Sequence, residues 1–142
     1  MTGGKGWGDR PLFVPVKVLS FHDRVIFTGF VEEEGRRSLP RTCRFVYPSV
    51  YEGFGLPILE AMACGTPVIA AHTSSMPEVG GDAAMLVDPH DVPAISMAIE
   101  SALGNAGMRE AMRRRGLARV TQYSWARTAL MILRILEKVA DR

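Results

Sequence analysis

Between Phe45 and Pro67 the chain reads FVYPSVYEGFGLPILEAMACGTP, and this order of residue types constrains the fold more than any other stretch. A short apolar strand over Arg44 to Tyr47 is expected to end at Pro48 and Ser49. A loop bracketed by glycines follows, Tyr51-Glu52-Gly53-Phe54-Gly55. A helix then opens at Leu56-Pro57, with Pro57 in the first turn, where its missing N–H is no loss. Ile58, Leu59, Met62 and Ala63 give that helix its buried stripe. Gly65 is placed to cap its C-terminus, and Thr66-Pro67 prevents continuation.

Strand, glycine loop and helix N-terminus together make an anion site. The first-turn N–H groups have no partner inside the helix, and the macrodipole adds roughly half a positive charge there. Gly53 and Gly55 let the backbone approach a ligand with no Cβ in the way. Two carboxylates flank this cradle, Glu52 before it and Glu60 one turn into the helix. Acids beside a phosphate are unfavourable unless they accept hydrogen bonds from hydroxyls, and an ionised carboxylate accepts two or more donors. A phosphate cradle with two hydroxyl acceptors suits a nucleotide-sugar.

The segment Glu52 to Glu60, EGFGLPILE, resembles the E-x(7)-E motif of retaining glycosyltransferases of the GT-B fold, family 4. The likeness continues through EAMACGTPVIA and SSMPEVGGDAAMLVDPHDV, and ends near Tyr123-Ser124-Trp125. It also runs back to DRVIFTGFV, Asp23 to Val31, and so covers roughly Lys5 to Val139. Two acids eight apart are common by chance; the surrounding order of motifs is what makes the match specific. The resemblance implies a sugar transfer with retained anomeric configuration, with Glu52 as the catalytic acid group. Glu52 would bind hydroxyls of the transferring sugar and favour positive charge at its anomeric carbon. Glu60 would bind the ribose diol of the donor. Backbone N–H groups of Phe54, Gly55 and Leu56, beside Gly53, would stabilise the leaving diphosphate. The resemblance implies no metal and no cofactor beyond the nucleoside-diphosphate sugar, with a mannosyl- or glucosyl-type hexose. Lys5 is a further candidate cation for the site. Ser74 and Ser75 are candidate donor contacts, although Ser75-Met76-Pro77-Glu78 reads first as a capping box that opens a short helix.

Composition narrows the alternatives. The 142 residues suffice for one domain of ordinary size, and 47% hydrophobic with 23% charged residues is normal for a globular protein. A net charge of +2 demands no polyanionic partner. Cys43 and Cys64 lie in no C-x-x-C motif, and His22, His72 and His90 have no ligand spacing, so neither a disulfide scaffold nor a metal site is expected. Cys64 is expected to pack as a small apolar residue. With two cysteines outside any disulfide pattern, no apolar leader in Met1 to Asp9 and no long apolar run, the chain is expected in the cytoplasm, or at the inner face of the membrane. Arg109, Arg113, Arg114, Arg115 and Arg119 make a basic helix, read as a solvated face because no aromatic residues interleave them; nucleic acid is not an expected partner.

The remaining elements alternate as in an α/β fold with a parallel sheet. Strands are expected at Val25–Thr28, Pro67–Ala71 and Ala84–Val87. Asp91 caps a helix through about Leu103, with Val92, Ile95, Ile99 and Ala102 on one face; Asn105 caps Ala106 to about Val120; Ser124 caps Trp125 to Ala140. Pro11 to Leu19 and Glu32 to Cys43 carry prolines and fit the family's helices poorly. In the family the C-terminal domain is Rossmann-like with strand order 3-2-1-4-5-6. The strands present correspond to the third through sixth, so the sheet is expected to lack the first two, along with the family's donor-phosphate Arg and Lys. Residues 1–142 then form a partial C-terminal nucleotide-sugar-binding domain, with about 125–142 as its crossover helix. The glycan or lipid-linked acceptor would be bound by an N-terminal domain outside this chain. The last helix is apolar on more than one face, which predicts self-association. Two other readings stay open: a non-catalytic fragment with weak nucleotide binding or an interaction role, and a sugar-nucleotide epimerase of the same fold.

Overall fold

Three short apolar runs fold as parallel strands: β1 (Phe45–Tyr47), β2 (Val68–Ala71) and β3 (Ala84–Val87). The computed structural model describes Ser20, residues 22–27 and residues 44–140. The sheet order is β1-β2-β3, with Phe45 opposite Val68 and Val68 opposite Ala84. Every residue of β2 is fully buried, so this strand is covered on both faces, which accounts for its unbroken apolar sequence. The strands expected as fourth, fifth and sixth of the family order therefore lie side by side in that order.

Side chains alternate between the two faces of the sheet. Val68 and Ala70 meet α1 (Leu56–Ala63) and α2 (Met76–Gly80), while Ile69 meets Ala98 and Ala102 of α3 (Val92–Gly104). Ile58, Met62, Ile69 and Met76 are the largest fully buried side chains, each worth about 1.5–3 kcal/mol of transfer free energy. The buried stripe of α1 is Ile58, Leu59, Ala61 and Met62. Ala63, expected in it, is exposed, because positions 58, 61 and 62 hold the i, i+3, i+4 spacing and 63 falls past the edge. In α3 the same correction applies to Val92, which is 71% exposed at the first turn; Ala98 and Ala102 carry the contact.

Helix ends follow local chemistry. Asp91 accepts from the Ala94 N–H, Asn105 accepts from the Met108 N–H to start α4 (Ala106–Val120), and Ser124 Oγ accepts from the Arg127 N–H to start α5 (Trp125–Ala140). Gly65 has φ 70°, and the Gly65 and Thr66 N–H groups donate back to the Met62 and Ala61 carbonyls. That double bond pattern is a Schellman ending, and it stops α1 where the glycine stands. Cys64 sits in this ending and is exposed, not packed as an apolar residue. Cys43 lies outside the described residues.

The arginines of α4 form more than a solvated face. Arg109 donates to the Leu103 carbonyl at 2.8 Å and, with Arg44, to the Ala102 carbonyl, so two guanidinium groups close the C-terminus of α3. Arg119 donates to the Glu78 and Val79 carbonyls at the end of α2, and Arg115 to the Asp82 carbonyl. Charge alone gave no hint of these contacts, since the acceptors are backbone carbonyls, which the order of side chains does not mark.

The chain divides into two compact units, Met1–Ser38 and Leu39–Arg142. In the first, the described residues form a 3₁₀ turn, His22–Arg24, closed by the Val25 N–H on the His22 carbonyl at 3.0 Å. The strand expected over Val25–Thr28 is not seen in Val25, Ile26 or Phe27. The preceding turn ends only at Arg24, and Ile26 is 70% exposed, which is not the burial of an interior strand. Thr28, Lys5 and the expectations for Pro11–Leu19 and Glu32–Cys43 lie outside the described residues.

Candidate functional site

The C-terminal ends of β1 and β2 release two loops on the same edge of the sheet, the place where open parallel sheets bind ligands. The first loop carries Ser49, Glu52, Gly53 and Phe54 into α1; the second carries Thr73, Ser74 and Ser75 into α2. They are joined by hydroxyls. Thr73 Oγ1 donates to the Ser49 carbonyl at 3.3 Å. Ser74 Oγ and Ser75 Oγ donate to the Glu52 carbonyl at 2.5 and 3.1 Å. The Glu52 N–H in turn donates to Ser74 Oγ at 3.4 Å.

This corrects the reading of Ser75 as a helix cap. Ser75 stands at the start of α2 but makes no side-chain cap bond. Its hydroxyl reaches the motif loop instead. Ser74 holds φ 54°, the one left-handed residue other than glycine among those described. Such a backbone in a serine is uncommon and persists where surrounding contacts fix it.

The Glu52 carboxylate is also held. Its Oε1 accepts from Tyr47 OH at 2.5 Å and from Ser49 Oγ at 2.9 Å. Tyr47 resists ionisation, first because it is partly buried and then because its proton is shared with the Glu52 carboxylate. Glu60 lies half-buried on α1.

Around the helix start the sequence-predicted residues separate into two kinds. Gly55 is buried, has φ 94° and immediately precedes α1, so its glycine is required by conformation. Gly53 has no left-handed backbone, and a Cβ there would meet only open space. Phe54 and Leu56 are each 46% exposed, and the Phe54 ring meets Tyr123 edge-on at 6.1 Å. The N–H groups of Phe54, Gly55 and Leu56 find no acceptor among the described residues. They are the free donors that a helix N-terminus offers an anion. The structure thus brings Glu52, Gly53, Phe54, Gly55 and Leu56 together at one loop, with Glu60 a turn further along the helix. The partners of Glu52 at Tyr47, Ser49 and Ser74 escaped the sequence reading. The hydroxyl-bearing runs Tyr-Pro-Ser and Thr-Ser-Ser at two strand ends were the available signal. Among the described residues no three His, Cys, Asp or Glu side chains gather as a metal site, and no helix is long and apolar enough to cross a membrane.

Comparison with known proteins bears on the same region. The family model described as glycosyl transferases group 1 matches residues 4–105, which include both loops and both acids. The O-antigen chain mannosyltransferase B of Escherichia coli is 45% identical over 126 residues, covering 88% of this chain and 33% of that protein. The D-inositol 3-phosphate glycosyltransferase of Salinispora tropica is 37% identical, covering 98% of this chain and 30% of that protein. The chain thus spans about a third of the length of these two curated relatives. Among solved structures, sucrose-phosphate synthase from Thermosynechococcus elongatus superposes with a TM-score of 0.85 at 29% identity, over 99% of this chain and 38% of that one. Anabaena HepE, solved in complex with UDP, superposes with a TM-score of 0.86 at 21% identity, over 96% of this chain and 40% of that one. The sheet order, the β1–α1 loop and these matches agree: the chain belongs to the glycosyl transferases group 1 family, and its fold is part of the GT-B architecture.

Proposed function

We propose that this chain is the donor-binding part of a retaining glycosyltransferase that takes a hexose from a nucleoside diphosphate. The observation that carries the reading is the placement of a firmly held acid, Glu52, directly before a helix N-terminus with free N–H donors. In this reading the N–H groups of Phe54, Gly55 and Leu56 receive the diphosphate, and Gly53 leaves room for it. Glu60 accepts the ribose hydroxyls. Glu52 accepts hydroxyls of the hexose and stabilises positive charge as the bond from the anomeric carbon to the diphosphate oxygen breaks. The new bond forms on the same face to an acceptor hydroxyl, whose proton leaves with the diphosphate. Several relatives are mannosyltransferases by name, which favours a mannosyl donor, while HepE was solved with UDP and with UDP-glucose. Residues 1–142 act as one donor-binding part; a glycan or lipid-linked acceptor would be held by residues outside this chain. The exposed apolar face of α5 supports self-association as a second property of the chain.

Titration calorimetry of the full chain with UDP, GDP and their hexose conjugates tests the reading. One nucleotide and its conjugate should bind. Glu60→Gln should weaken both by about tenfold, the scale of a hydrogen bond to a charged group. Glu52→Gln should weaken the conjugate alone. Failure of the wild-type chain to bind any of the four at millimolar concentration would sink the proposal.

A further inference from the structure

Glu52 is gripped at every polar atom but one. Its N–H and carbonyl are engaged by Ser74 and Ser75, and its Oε1 by Tyr47 and Ser49. Four side chains from two loops and a strand converge on one residue that stands on a partly exposed loop. Water could satisfy a loop acid there without such help, so burial alone does not account for the arrangement. Ser74 adopts its left-handed backbone at this same point.

Both side-chain donors choose the same oxygen. Oε1 accepts from Tyr47 OH at 2.5 Å and from Ser49 Oγ at 2.9 Å, closer than the Tyr51 carbonyl that the Ser49 hydroxyl also reaches at 3.2 Å, and Oε2 accepts from no described residue. Two anchors on one oxygen fix the carboxylate torsion, and the lone pairs of the other are then directed by the protein, not by solvent. Ser49 is itself anchored by Thr73 at its carbonyl, so the donor cannot drift with the loop. Tyr47 belongs to β1 and is held by its pairing with β2 at Ala70.

We infer that Tyr47 and Ser49 are positioning residues for Glu52: they hold Oε1 so that Oε2 receives a hexose hydroxyl, and they thereby set the preference for a sugar nucleotide over the bare nucleotide. This inference rests on the donor-site reading above and adds to it two residues and a division of labour between the carboxylate oxygens. Nucleotide and diphosphate are held elsewhere, by Glu60 and by the N–H groups of Phe54, Gly55 and Leu56. Loosening Glu52 therefore acts on the hexose alone.

The test compares wild type, Tyr47→Phe, Ser49→Ala and Glu52→Ala, each titrated with GDP, GDP-mannose, UDP and UDP-glucose. For whichever pair binds, Tyr47→Phe and Ser49→Ala should leave the bare nucleotide within about twofold and weaken the conjugate about tenfold. In a Glu52→Ala background either substitution should have no further effect on the conjugate, because the group they position is gone. Equal weakening of nucleotide and conjugate would show a merely structural role and overturn the inference, as would no change in either. Should Tyr47→Phe fail to fold, Ser49→Ala carries the same comparison, because its hydroxyl lies in the loop and not in the sheet. A wild-type chain that binds no conjugate overturns the donor-site reading and this inference with it; a wild type that binds while the variants match it overturns this inference alone.

Discussion

Tyr47 stacks its ring on Phe45 at 5.6 Å and sends its hydroxyl to Glu52, so one side chain serves both sheet and loop. Its ionisation is pushed above the ordinary phenol range, by burial first and by Glu52 second. The folded chain keeps the tyrosine proton at a pH where the unfolded chain, near about 10, releases it. That contribution to stability is full below pH about 10 and is lost as pH rises beyond it. Thermal midpoints measured from neutral to strongly alkaline pH should fall more steeply for wild type than for Tyr47→Phe; parallel curves would contradict the assignment. The two glycines of the loop make a second comparison at this scale. Gly55→Ala must hold an alanine at φ 94° and should lose about 1–2 kcal/mol in urea unfolding, although its Cβ would sit 3.5 Å from Ile58 without a clash. Gly53→Ala meets open space and should stay within about 0.5 kcal/mol of wild type. Equal losses at both would show that loop compactness, not the left-handed backbone, decides. The sequence motif marked both glycines alike, and only the backbone angles tell them apart.

Among the elements, legibility in the sequence follows locality. The caps at Asp91, Asn105 and Ser124 were readable because donor and acceptor lie within three residues of one another. The ending of α1 was readable for the same reason, from Gly65 and the Thr-Pro that follows. The Ser75 cap failed because Ser75 already has helical φ and ψ, not the extended backbone of a cap, and its hydroxyl turns to the carbonyl of Glu52, far away in sequence. The contacts of Arg119 were illegible for a similar reason: the carbonyls of Glu78 and Val79 are far away in sequence and leave no trace in the order of side chains. The two acids of the proposed site stand out in the sequence by their spacing, whereas the hydroxyls that hold Glu52 come together only when β1 and β2 pair. Close packing of α4 on α1 is another such contact. A Cβ at Gly116 would stand 3.1 Å from Met62 Cγ and 3.3 Å from Met62 Cβ. Alanine there gains about 1 kcal/mol of helix propensity, which offsets part of the crowding. Valine adds bulk without that gain, so Gly116→Val should destabilise the chain by about 1–3 kcal/mol. An unchanged unfolding midpoint would mean that α4 can shift away from α1 freely.

At the largest scale the last helix is poorly covered. No residue of α5 is buried, and Leu130, Ile132, Leu133, Ile135 and Leu136 are each at least half exposed. Apolar area on this scale favours association. Sedimentation equilibrium should therefore show a mass that rises with concentration, and Leu133→Glu with Leu136→Glu should return it toward a monomer. A wild-type chain that stays monomeric at high concentration would contradict that expectation. The proposed donor site stands where two loops, one helix start and two acids come together. A thermal melt of the full chain with and without millimolar GDP or UDP addresses it most directly. A ligand that binds only the folded state, present at a hundred times its dissociation constant, adds about 2.7 kcal/mol. The expected result is a cooperative transition whose midpoint one of the two nucleotides raises and Glu60→Gln returns toward the ligand-free value. A cooperative transition that neither nucleotide moves would mean that the motif is folded and the site is not.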